Sequence, residues 1–91
     1  MIYNAQGALA LNADVVINIG VNSYICKFDP TKVDHSANAL PIEQQPVWMI
    51  IFYEQVEEND TIRLNTKYPY GSQDYRFVLA DYANYTYKFR L

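Results

Sequence analysis

The feature that most limits what this chain can become is the period of its apolar residues. They recur at every second position, the period of a half-buried β-strand. No apolar stripe at helical spacing is long enough to cover a sheet. Residues 14–28, DVVINIGVNSYICKF, place Val15, Ile17, Ile19 and Val21 on one parity, then Tyr24, Cys26 and Phe28 on the other. A switch of parity marks a β-bulge or two strands joined at a tight turn, and Gly20 and Asn22 supply the backbone freedom. The run Val47–Tyr53 is apolar on both parities and reads as a central strand covered on both faces. After a turn at Glu57–Asp60, TIRLNTKY alternates with Ile62 and Leu64 inward and Arg63, Asn65 and Lys67 outward. Pro69-Tyr70-Gly71-Ser72 is the next turn. DYRFVLA then puts Tyr75, Phe77 and Leu79 on one face, residues 81–84 turn again, and YTYKFRL alternates strictly to Leu91.

Strands at this spacing build an antiparallel meander, and a sheet with an apolar face must pack on another sheet or curl. The expected fold is all-β: a small antiparallel β-sandwich or partly open β-barrel of five to seven strands, with a C-terminal meander. Trp48, Ile50, Phe52, Ile62, Leu64, Phe77 and Leu79 are the expected core. The 91 residues allow a single domain over 1–91. Two segments depart from the alternation. Residues 1–13 read as a short strand or as an N-terminal arm that orders against a partner. Residues 29–46 carry prolines at 30, 41 and 46, which exclude a central strand and leave a long loop with room for a helical turn over Asp34–Leu40.

Composition narrows the chemistry. A 51% apolar chain with 19% charged residues is too apolar and too weakly charged to be disordered. Seven basic against ten acidic residues give a net charge of −3, which argues against broad phosphate-backbone binding. The single cysteine cannot form an internal disulfide, and Cys26 in a strand reads as a buried, inert thiol. No basic residue precedes the first apolar stretch, so secretion by a signal peptide is not expected, and no apolar run approaches a membrane span.

Catalytic and metal constellations are not found. Asp34-His35-Ser36 has triad residue types, but adjacent residues cannot converge as nucleophile, base and orienter. His35 and Cys26 are too few for zinc. Glu54, Glu57, Glu58 and Asp60 lack the spacing of a calcium loop, and the three isolated glycines cradle no phosphate. No cofactor is expected. Tyr85, Tyr87 and Phe89 imitate a nucleic-acid stacking platform, yet Lys88 and Arg90 fall on the opposite strand face.

Nine tyrosines remain to be explained. Tyrosine suits pleated sheet, and it is also enriched where surfaces meet partners. Tyr3, Tyr68, Tyr70 and Tyr82 are the expected partner-binding anchors, because aromatic residues dominate hot spots. Lys88 and Arg90 either guard the last strand against random pairing or contact an acidic partner.

In general character, short and compactly β with an immediate start and no catalytic motif, the chain resembles the small accessory proteins of tailed-phage virions, of the auxiliary capsid or head-decoration type. The resemblance implies repeated copies fixed to major capsid or other virion subunits, with synthesis in a host cytoplasm. The expected function is therefore that of a non-catalytic assembly protein, with homo-oligomerisation open. Two other readings stand beside it: a small inhibitor or regulator of one protein partner, and a carbohydrate- or single-stranded nucleic-acid-binding β module.

Overall fold

A computed structural model describes residues 13–91; Tyr3 and nearly all of the expected arm lie outside the described residues. The described residues form one six-stranded, open antiparallel sheet. Strand β1 (Val15–Ile19) pairs with β2 (Asn22–Phe28), which pairs with the long β3 (Pro46–Glu58). β4 (Thr61–Pro69) lies on the far side of β3. The two-residue β5 (Phe77–Val78) returns to the start of β3, and the two-residue β6 (Tyr87–Lys88) pairs with the end of β4. The sandwich-or-barrel alternative thus resolves to a single unclosed sheet.

The parity switch near residue 20 is a tight turn. Ile19 faces Asn22 across Gly20-Val21, and Gly20 has φ +60°, the first central position of a type II′ hairpin. Asn59 and Asp60 both take positive φ, 50° and 64°, the signature of a type I′ hairpin between β3 and β4.

One face of the sheet carries the core. The register sets Phe28 opposite Trp48, Cys26 opposite Ile50 and Tyr24 opposite Phe52. Trp48, Ile50 and Cys26 are 1%, 0% and 0% exposed, and Val47, Phe77 and Leu79 complete the buried cluster. Two segments without long strands close over it. The loop 29–46 contributes Val33 and Ile42, and the 3₁₀ turn Leu79–Asn84 with its flanks contributes Tyr82, Tyr85 and Tyr87. The loop is pinned from inside. The Trp48 indole N–H donates to the Ile42 carbonyl (2.9 Å). Buried Gln45 accepts from the Asp34 N–H (2.8 Å) and donates to the Asp34 and Leu40 carbonyls (3.1 and 2.8 Å). The loop's helical turn lies at Ile42–Gln44, not at Asp34–Leu40, where the Asp34 carboxylate accepts the Ser36 N–H in an Asx turn that competes with helix.

Two sequence expectations are corrected. DYRFVLA and YTYKFRL alternate like full strands, but each contributes only two strand residues. Tyr85 and Tyr87 are drawn instead onto the core, where their hydroxyls bond to the backbone of Val78 and Tyr82. The second correction concerns Ile62 and Leu64. Val56 pairs with Arg63 and Phe52 with Lys67, so the polar residues of β4 share the parity of the core face. Ile62 and Leu64 stand on the reverse face; Ile62 is 51% exposed and Leu64 half-buried.

The sheet is not equally supported along its length. β2 covers β3 only from Trp48 to Tyr53. Beyond Glu54 the strand pairs with β4 alone, so among the described residues 54–65 form a two-stranded ribbon. The molecule is accordingly long and narrow, 53 × 25 × 20 Å.

Candidate interaction surface

The turn after β4 and the last six residues are built together. Tyr70 N–H donates to the Thr86 carbonyl (2.7 Å), and Leu91 N–H donates to the Gly71 carbonyl (3.1 Å). Gly71 is required here. It has φ +76°, and a Cβ at this position would lie 2.7 Å from the Phe89 carbonyl oxygen and 2.9 Å from the Leu91 side chain. Tyr70 itself takes φ 53°, a strained conformation for an aromatic residue held by the flanking bonds.

This close seam leaves three apolar side chains in solvent: Tyr70 at 46%, Phe89 at 60% and Leu91 at 92% exposure. Lys88 and Arg90, both exposed, alternate with them. Lys67 lies over the Phe89 ring (5.4 Å to its centre) and also bonds Glu54 (3.0 Å). The result is an amphipathic patch of rings and cations at the end of the sheet opposite the β3–β4 turn. It offers apolar area with no enclosed cavity.

The other expected anchors are placed differently. Tyr68 is only 9% exposed. Tyr82 is half-buried, edge-on to Tyr24 (5.0 Å), and its carbonyl accepts the Tyr87 hydroxyl (2.7 Å). Tyr85 O–H donates to the Val78 carbonyl (3.3 Å) and accepts from its N–H (2.8 Å). Tyr85 and Tyr87 act as rivets, their rings packed on the core and their hydroxyls bonded to irregular backbone. Burial raises the pKa of Tyr24 and Tyr87, with neighbouring phenols adding to the shift. Sequence reasoning missed Gln45 as a structural residue; its place beside Pro46 at the mouth of a Pro-rich loop was the available signal.

Among the described residues the ionisable groups do not converge on one cleft. Burial pushes the Cys26 thiol up to about 12, which keeps it protonated and unreactive. Hydrogen bonds from Thr31 and Ser36 hold the exposed Asp29 and Asp34 below the usual carboxylate range. Bonds from Lys67 and Asn65 do the same for Glu54. A groove of about 310 Å³ beside the loop is lined by Lys32, Asp34, Leu40, Gln45, Pro46 and Val47, whose polar members are already engaged in holding the loop. Among the described residues no three His, Cys, Asp or Glu side chains gather as a metal set. No protein-family model, curated protein or solved structure matches the chain.

Proposed function

We propose that the chain is a non-catalytic assembly protein, an auxiliary or decoration subunit that binds a larger capsid assembly. The observation that carries the reading is the patch of Tyr70, Phe89 and Leu91 with Lys88 and Arg90. Exposed rings interleaved with cations suit a protein partner with apolar and acidic surface, because aromatic residues and arginine supply most interface energy. Repeated copies on a lattice would add avidity to a modest single contact. On this reading the protein is made in a host cytoplasm and resides in the virion.

The test is co-sedimentation of the purified chain with particles from its native source. The expected result is binding at a fixed copy number that is weakened at least tenfold by Tyr70→Ala combined with Phe89→Ala. A stoichiometric complex with one soluble enzyme would favour the regulator reading. Retention on glycans or single-stranded DNA at moderate salt would favour the ligand-binding module. Either would overturn the assembly reading.

A further inference from the structure

We infer that residues 89–91 form a strap with two seats: the observed one on Gly71, which presents the aromatic patch, and a second along the free edge of β4, which divides it. The strap regulates the patch proposed above to bind the capsid, so its role rests on that reading while its geometry does not.

The second seat continues a register already present. β6 pairs Pro69 with Tyr87 and Tyr68 with Lys88, and the Tyr70 N–H donates to the Thr86 carbonyl (2.7 Å) in the same frame. Hydrogen-bonded and non-hydrogen-bonded pairs alternate along an antiparallel ladder. Carried on by three residues, the frame sets Phe89 opposite Lys67, Arg90 opposite Thr66 and Leu91 opposite Asn65, with Thr66 and Arg90 exchanging two backbone bonds. Among the described residues no strand pairs with this edge of β4 over 65–67, and an open edge is a template for strand. Phe89 needs the least movement, since the Lys67 ammonium already lies over its ring (5.4 Å to the centre). The sequence favours the longer strand as well, because YTYKFRL alternates to Leu91 without proline or glycine.

The observed seat is a weak competitor. One backbone bond, from the Leu91 N–H to the Gly71 carbonyl (3.1 Å), ties the end of the strap to it, and the close approach is open only because Gly71 has no side chain. Phe89 stays 60% and Leu91 92% exposed there, so little apolar burial favours it. Two seats so closely matched are set by whatever binds one of them better. A partner with apolar and acidic surface, laid on Tyr70, Phe89, Leu91 and Arg90, holds the strap on Gly71. Without it the strap zips along β4, Leu91 leaves the turn for Asn65, and the patch is divided.

Cysteine pairs in the full chain read the seat directly. Opposed residues of a non-hydrogen-bonded pair have Cα atoms about 4.5 Å apart, within disulfide range. Asn65→Cys with Leu91→Cys is expected to form an intramolecular disulfide under mild oxidation in dilute solution, seen as a faster-migrating monomer on a non-reducing gel. Arg63→Cys with Leu91→Cys lies on the same face but two residues out of register, and should close about tenfold more slowly. The native Cys26 is fully buried and does not interfere. Gly71→Asn should speed closure of the 65–91 pair about threefold or more, because asparagine tolerates positive φ while its Cβ fills the observed seat. No closure at 65–91, equal closure from 63 and 65, or a rate indifferent to Gly71→Asn overturns the two-seat strap. The comparison of 63 with 65 keeps the native turn and so does not depend on how Gly71→Asn folds. On particles, the oxidised 65–91 chain should bind about tenfold more weakly than the same chain reduced. Equal binding overturns the regulatory role, whereas no binding by the native chain breaks the capsid reading and leaves the strap standing.

Discussion

The two halves of β3 make a natural experiment. From Trp48 to Phe52 the strand pairs with β2 along one side and meets β5 and β4 at either end of the other, with loops as a roof. Its alternate residues Trp48 and Ile50 are sealed from water, while Phe52 stacks on Tyr24 with ring centres 4.6 Å apart. From Glu54 to Glu58 the same strand has one neighbour, a polar core-side face and a tip in solvent. Backbone conformation is shared, so the difference lies in what covers the strand. The body gains its stability from its own tyrosines and loops. The ribbon holds its shape by hairpin geometry and the ion pairs Arg63–Glu58 and Lys67–Glu54.

Truncation should expose this contrast most strongly in the body. Trp48→Ala removes a 1%-exposed ring and its bond to the Ile42 carbonyl, and should cost about 3–5 kcal/mol by urea unfolding. Gln45→Ala orphans the Asp34 N–H and the carbonyls of Asp34 and Leu40, for about 1–3 kcal/mol by the same measurement. Within the ribbon, Ile62→Thr should change monomer stability by no more than about 0.5 kcal/mol, because the side chain is 51% exposed. A large loss there would mean that the ribbon belongs to the body.

Acid sharpens the boundary between the regions. Lys67 and Asn65 lower the pKa of Glu54 from its ordinary value near 4.5. The stabilisation is therefore complete above that value and is lost as the pH falls through the depressed folded value. Glu54→Gln should lower stability by less than about 1 kcal/mol at pH 7, a difference that disappears at low pH. A difference unchanged by pH would show that the carboxylate charge contributes nothing at this junction.

Much of this was legible in the residues. Alternation located β1, β2 and β4, the continuous apolar run Val47–Tyr53 located β3, and Glu57–Asp60 and Pro69–Ser72 marked turns. The failures share one cause, which is that period two reports which residues lie on a common face and not what covers that face. Ile62 and Leu64 alternate as cleanly as any core pair, yet the 13-residue run of β3 outlasts the layer above it. Tyr85 and Tyr87 also alternate, but phenol hydroxyls near the bare backbone of Val78 and Tyr82 favour docking over further strand. For the candidate surface, Tyr70, Lys88 and Arg90 were visible as exposed chemistry. Tyr68 was not separable from them, since alternation does not report which residues of a face are covered.

Amide hydrogen exchange tests most directly whether the body is stable as a unit while the ribbon opens locally. The account predicts that amides in Tyr24–Cys26 and Ile50–Phe52 open only with global unfolding. Those of Glu54–Asn65 should exchange by local opening, well before global unfolding. Ribbon amides protected to the level of the body would contradict it.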